Sequence, residues 1–356
     1  MSTDLQRHKL KEEITGLWGK SHRLNGKLGE VVNPPFKRWV GFDRFSNLAL
    51  KIFRFQAENN PLFQSYIELL NIDYQSVKSI SDIPFLPIQF FKNHKIQTGN
   101  WSPETVFSSS GTTGKNTSRH FVRDEKFYLK NTVVGFENFY GDLSEYSVLA
   151  LLPSYLERKG SGLISMAAHF IELSKYDQSG FFLNNLEELV SVLKDCQNQK
   201  IPTLLIGVSF ALLDLAERFE LDLSGIIVAE TGGMKGRRKE ITREELHDFL
   251  KKRLNISEIH SEYGMTELFS QAWSKGHGIF RPAPTMQVLT REITDPLSNQ
   301  KFGKTGVINI IDLANLDTIS FIATDDLGRV YEDNSFEILG RTDASEARGC
   351  NLLLIE

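Results

Sequence analysis

An α/β fold is predicted by the way periodicity changes along this chain. Short β-branched or apolar runs, at 148–152, 203–206, 225–228 and 307–311, each end in Gly, Pro or a polar residue. Helical patterns lie between them: Leu186, Leu189, Val190 and Leu193 form one stripe, and Thr242 with Glu245 spells a capping box ahead of Leu246, Phe249 and Leu250. Such alternation puts a ligand site at the carboxyl ends of strands.

The elements can be justified in order. The N-terminus is charged and carries no apolar signal-peptide core. Residues 44–70 place Phe45, Leu48, Ile52 and Phe55, then Leu62, Tyr66 and Leu69, at helical spacing on either side of Asn60-Pro61, which predicts two helices broken at the proline. Pro84, Pro87 and the aromatic cluster Phe85, Phe90 and Phe91 make a packed connection. From about residue 286 the pattern becomes strand and turn, punctuated by Gly303, Gly306, Gly328 and Gly340, as an antiparallel or barrel-like part requires. The expected division is a helical start (1–95), an α/β core (96–285), a β part (286–340) and a short tail (341–356).

Composition excludes several function classes. With 356 residues, 40% hydrophobic, 24% charged and a net charge of -4, the chain is an ordinary globular protein with no electrostatic reason to bind nucleic acid. Two cysteines, Cys196 and Cys350, make no disulfide framework, so a cytoplasmic location is expected. No window approaches the roughly 18 consecutive apolar residues of a membrane span. Most of the 25 Phe residues are expected to fill the core.

Chemistry concentrates in a few stretches. Residues 108–120 carry hydroxyls on Ser108, Ser109, Ser110, Thr112 and Thr113, glycines at 111 and 114, and Lys115, Arg119 and His120 as cationic or hydrogen-bonding groups. Any surface loop can have this composition, but donors without a carboxylate, entered from the apolar run Thr105-Val106-Phe107, suit a phosphate. A Walker loop is excluded, because Ser109 stands where its first Gly belongs and Asn116 follows Lys115. Tyr263, Gly264, Met265, Thr266 and Glu267 read either as a turn into a helix or as a stacking ring, a phosphate-binding hydroxyl and a magnesium-binding carboxylate. Glu230, Thr231, Gly232 and Gly233 form a close-approach turn after an apolar strand. Asp325 and Asp326, in the turn 324–328, and Arg341 beyond Gly340 either cap turns or meet ribose hydroxyls.

Together, Ser109, Ser110, Gly111, Thr112, Thr113, Gly114 and Lys115, then Tyr263 to Glu267, Thr324 to Gly328, and Leu339-Gly340-Arg341 resemble, in order and approximate spacing, the adenylate-forming superfamily of acyl-CoA synthetases and luciferases. Length and ending resemble its acyl-protein synthetase (LuxE-like) branch. The resemblance implies the large N-terminal-type domain of those enzymes, with their C-terminal domain and its lysine absent; Lys115, Lys235 and Lys304 stand as substitutes for that lysine. It further implies that the Ser/Thr/Gly loop holds the pyrophosphate side of ATP, that Tyr263 stacks on adenine, that Thr266 contacts the α-phosphate, and that Glu267 binds magnesium. Asp326 and Arg341 would hold the ribose, although Asp325 stands where the superfamily usually has Gly, which leaves two carboxylates to choose between.

The cysteines differ. Cys196 continues the apolar stripe of its helix and belongs to the core. Cys350 follows Gly349 and Arg348, where a neighbouring cation favours the thiolate; a small buried residue docked with Leu352 to Ile355 is the other reading. In the resembled branch a cysteine near the C-terminus accepts the acyl group, which implies catalysis by Cys350 and delivery of a fatty or other apolar acid to an acyl reductase partner. Three alternatives are a ligase passing its acyl group to CoA or a carrier protein, a non-catalytic binding subunit, and a serine hydrolase using Ser209. The last rests on Gly207-Val208-Ser209-Phe210-Ala211, a near match to the nucleophile elbow.

Overall fold

The computed structural model describes residues 2–18, 42–109, 117–153, 160–183, 185–232 and 241–342. Three helices come first: α1 (Thr3–Trp18), α2 (Phe42–Asn59) and α3 (Pro61–Leu69). As expected, α2 and α3 divide at Asn60-Pro61, where Asn60 Oδ1 accepts the Phe63 amide at 3.2 Å and proline starts the helix at a position that needs no amide. The helix α1 falls within the expected helical start, although the sequence reading placed no individual helix there. It buries only Leu10 and Ile14 and is fastened by charge, Arg7 gripping Asp317 through Nε at 2.5 Å and Nη2 at 2.6 Å while Lys11 pairs with Asp124.

After β1 (Leu86–Pro87) and α4 (Phe90–Asn93), an antiparallel hairpin forms from β2 (Thr105–Ser108) and β3 (Arg119–Val122). Helices and strands then alternate through α5 (Glu125–Tyr140), β4 (Ser147–Leu151), α6 (Gly162–Leu173), β5 (Gly180–Phe182), α7 (Leu186–Asn198), β6 (Thr203–Val208), α8 (Ser209–Arg218), β7 (Ile227–Thr231), α9 (Arg243–Leu254) and β8 (His260–Tyr263). The strands β5, β4, β6, β7 and β8 lie side by side and all run parallel. Every residue of β4 and β6 is buried, with α6 packed on β4 and α8 on β6 and β7, which is why these strands read as unbroken apolar runs. The capping box starts α9: the Glu245 amide reaches Thr242 Oγ1 at 3.1 Å, and the Thr242 amide reaches Glu245 Oε2 at 2.8 Å.

The remaining strands are β9 (Ala272–Ser274), β10 (Ile279–Pro282), β11 (Met286–Arg291), β12 (Gly306–Asp312), β13 (Phe321–Val330) and β14 (Phe336–Arg341). They extend the same sheet antiparallel from β8 in the order β9, β10, β14, β13, β12, β11, with β1 parallel to β13. The α/β class is therefore as read, with the antiparallel part continuous with the parallel one. A cluster of Phe53, Phe63, Phe85 and Phe321, with ring centroids 5.8 to 6.3 Å apart, joins the opening helices to β13.

The parallel strands all deliver their carboxyl ends to one edge, and the hairpin meets them there. The Ser108 amide donates to Gly160 O at 2.7 Å, just before α6. Gly160 has φ +83°, and a Cβ on it would stand 2.4 Å from Val106 O, so this approach of backbone to backbone requires glycine.

Candidate active site

The segment leaving β8, residues 263–271, lies at the carboxyl ends of the parallel strands, where α/β folds place ligands. No regular helix follows Tyr263, so its backbone groups need other partners. Buried Asp312 supplies two of them: Oδ2 accepts the amides of Phe269 (2.8 Å) and Ser270 (2.9 Å), while Oδ1 accepts the Ser270 hydroxyl (2.6 Å) and the Ala314 amide (3.0 Å). Asn315 donates to Glu267 O at 2.7 Å, and Asn131 donates to Phe269 O at 3.0 Å. A Cβ on Gly264 would stand 2.3 Å from Glu262 Oε1, so a side chain there would push the Glu262 carboxylate aside.

Tyr263 and Asp326 meet directly. The phenol donates to Asp326 Oδ2 at 2.7 Å, and Arg341, opposite Asp326 in the β13–β14 ladder, places Nε 3.4 Å from Oδ1. Burial pushes the Asp326 carboxyl above its usual range, against the pull of Tyr263 and Arg341, and burial with Asp326 alongside pushes the Tyr263 phenol far up. The neighbouring Asp325 is occupied differently: Gln89 Nε2 lies 2.6 Å from Oδ1 and 2.5 Å from Oδ2, with Arg341 Nη2 3.8 Å from Oδ2. Asp326 is thus the carboxylate that shares its site with the aromatic ring. Gln89 carried no signal in the sequence, because its partner lies 236 residues away.

Glu267 is buried, and burial pushes its carboxyl above the usual range, against the opposing pull of the nearby Ser118 hydroxyl and of Arg341 and Lys92. Ser118 closes the mouth of the hairpin, its amide donating to Ser109 Oγ at 2.9 Å and its carbonyl accepting the Ser109 amide at 3.0 Å. Two residues on, His120 is fully buried, with Nδ1 2.9 Å from Thr266 O and Nε2 3.0 Å from Thr318 Oγ1. A carbonyl only accepts, so Nδ1 carries the proton and Nε2 accepts from Thr318. His120 is therefore a neutral donor rather than a cation, its pKa lowered to about 4 by burial. Phe269 stacks on the ring at 4.7 Å and Phe91 meets it edge-on at 5.4 Å.

That neutral imidazole makes the protein acid-sensitive. The unfolded chain takes up the proton near pH 6.5 while the folded chain resists until about 4, so stability falls as pH drops through that window. The loss attributable to His120 approaches about 3 kcal/mol. Glu267, Asp312 and Asp326, raised by burial, act in the opposite sense and gain stability as pH falls. Urea unfolding between pH 7 and 4.5 should therefore decline less steeply in His120→Gln than in wild type.

The serine-hydrolase alternative is corrected by the sheet. Ser209 opens α8 with its hydroxyl buried, shared between Glu230 Oε2 at 3.2 Å and Gly232 O at 3.1 Å. Burial raises the Glu230 pKa, but His247 and Arg243 (3.6 and 3.4 Å from Oε1) outweigh it and hold the carboxyl below its usual range. His260 sits at the start of β8 in register with Ala229, itself opposite Ile206, so Ser209 lies roughly 10 Å further along the sheet. Its Nδ1 is bound to the Tyr140 hydroxyl at 2.9 Å instead.

Of the sequence-marked residues, Ser109, Thr266, Glu267, Tyr263, Asp326 and Arg341 are drawn into one linked site, with Gly264, Met265 and Gly232 on its adjoining turns. Ser110, Gly111, Thr112, Thr113, Gly114, Lys115, Gly233, Lys235 and Cys350 lie outside the described residues. Lys304 is exposed on the β11–β12 connection, and Cys196 is fully buried on α7, as read. Among the described residues, no three His, Cys, Asp or Glu side chains form a metal-holding group, and no helix is long and apolar enough to cross a membrane.

No protein-family model and no curated protein matches the chain. Solved structures do. An open conformation of 2-hydroxyisobutyryl-CoA ligase, in complex with 2-HIB-AMP and CoA, superposes with a TM-score of 0.60 at 14% identity over 88% of this chain and 75% of that one. ATP-bound MatB from Rhodopseudomonas palustris gives a TM-score of 0.51 at 14% identity, over 68% of this chain and 49% of its own. The A-PCP structure of McyG, complexed with phenylalanyl-adenylate, gives 0.50 at 16% identity, over 69% of this chain and 49% of its own. The chain thus spans about half the length of MatB and McyG A-PCP. It has the α/β fold of the large N-terminal domain of adenylate-forming enzymes.

Proposed function

We propose that the chain converts a carboxylic acid to its acyl-adenylate with ATP and then transfers the acyl group to Cys350, as the acyl-protein synthetase branch does. The observation that carries the first half is the juxtaposition of Tyr263, Asp326 and Arg341 with Thr266, Glu267 and the hairpin bearing the Ser/Thr/Gly loop. In this reading Tyr263 stacks on adenine, Asp326 and Arg341 take the ribose hydroxyls, Thr266 meets the α-phosphate, and residues 109–115 with Gly232 and Gly233 line the phosphate and acyl side. The acid's oxygen attacks the α-phosphorus, the bond to the bridging oxygen breaks, and pyrophosphate leaves into the loop donors.

Magnesium fits one place. Buried Glu267 presents a carboxyl whose ionised form is disfavoured by desolvation, a condition that a cation relieves. Magnesium commonly takes one or two carboxylates together with substrate phosphates, so Glu267 would hold it without a protein cage. When bound, it supplies neutralisation of phosphate charge.

In the second step the Cys350 thiolate attacks the acyl carbonyl, the acyl–phosphate bond breaks, AMP leaves and a thioester forms. Its substrate would be a fatty or other apolar acid, its consumer an acyl reductase. Incubation with ATP, magnesium and radiolabelled fatty acid should leave a hydroxylamine-sensitive label on wild type and none on Cys350→Ala. Equal labelling of both proteins, or label passing only to added CoA or carrier protein, would move the acceptor elsewhere and favour the ligase reading.

A further inference from the structure

Two side chains at the closing end of the 108–120 stretch, given no individual role by the sequence, hold the two halves of the site in register. Ser118 and His120 lie two residues apart on the outgoing arm, so extended backbone turns both to one face. That face meets the segment after β8: His120 donates to Thr266 O at 2.9 Å, and Ser118 lies beside the neighbouring Glu267, close enough to influence its carboxyl. The other arm is tied to the same point, because the Ser118 amide and carbonyl both bond Ser109. His120 is braced from behind by Thr318, whose carbonyl accepts from Asn60 (2.9 Å) and Thr98 (2.6 Å).

From this geometry we infer that Ser118 and His120 are positioning residues, which fix the mouth of the hairpin, at Ser109 and Ser118, against the Thr266–Glu267 segment. The neutral imidazole suits the task. A donor at Nδ1 and an acceptor at Nε2 bridge a carbonyl and a hydroxyl at once, and neither bond depends on a charge. The inference rests on the ATP-site reading for its consequence in catalysis, but the bridge itself can be measured without nucleotide.

His120→Gln retains an amide donor and a carbonyl acceptor, His120→Leu retains bulk alone, and Ser118→Ala removes one hydroxyl. Hydrogen exchange of the amides at 266–270 in nucleotide-free protein should quicken about tenfold in His120→Leu, the equivalent of one hydrogen bond, and stay within about threefold of wild type in His120→Gln. With magnesium-ATP, Ser118→Ala and His120→Leu should raise KM for ATP about tenfold, with His120→Gln rescuing. Equal exchange in the Leu and Gln variants, whether both fast or both unchanged, overturns the bridge. Normal exchange differences in a wild-type protein that binds no ATP would uphold the bridge and sink the ATP-site reading.

Discussion

Asp312→Ala is expected to lower folding stability by about 4 kcal/mol. The carboxylate is fully buried and accepts four hydrogen bonds, three from backbone amides and one from a hydroxyl. Each orphaned donor in a dry site costs about 1–3 kcal/mol, part of which water entering the vacated space recovers. Asp312→Asn should cost about half as much, because one oxygen remains an acceptor while the new NH2 faces a donor. The urea midpoint of each variant, with native circular dichroism as the folding control, checks the order Ala below Asn below wild type. Equal midpoints for wild type and Asp312→Ala would mean that Phe269 and Ser270 find other partners.

Asp326→Ala is expected to weaken ATP binding about a hundredfold, the loss of two charge-assisted hydrogen bonds at about 1.5 kcal/mol each. Asp325→Ala should change affinity less than about threefold, because its oxygens are spent on Gln89 rather than turned to the ring of Tyr263. Calorimetric titration with magnesium-ATP separates the two. The reverse order would assign the ribose to Asp325 and leave Asp326 as an anchor for Tyr263.

Legibility in the sequence followed locality. The capping box of α9, the break at Asn60-Pro61 and the buried runs of β4 and β6 were readable because each is specified by neighbours within a few residues. The helix α1 was not, since two buried residues make a weak stripe and its anchors, Asp317 and Asp124, are distant in the chain. The same division runs through the site. Tyr263 to Glu267 and Asp326 stood out by residue type, whereas Gln89, Asp312 and Ser118 act only through contacts that the sheet creates. His120 was noticed as a cationic or hydrogen-bonding group, and burial selects the hydrogen-bonding role. Ser209 shows the converse, a plausible motif whose hydroxyl is bound by Glu230 and Gly232.

The central claim is that this site forms an acyl-adenylate, and acid-dependent exchange of labelled pyrophosphate into ATP tests it most directly. The account predicts exchange with wild type and with Cys350→Ala when a suitable apolar acid is present, and at least a hundredfold less with Asp326→Ala, as the loss of the two ribose bonds proposed for it requires. Absence of exchange with every acid in a series from short to long chains, by a protein that binds ATP, would contradict it.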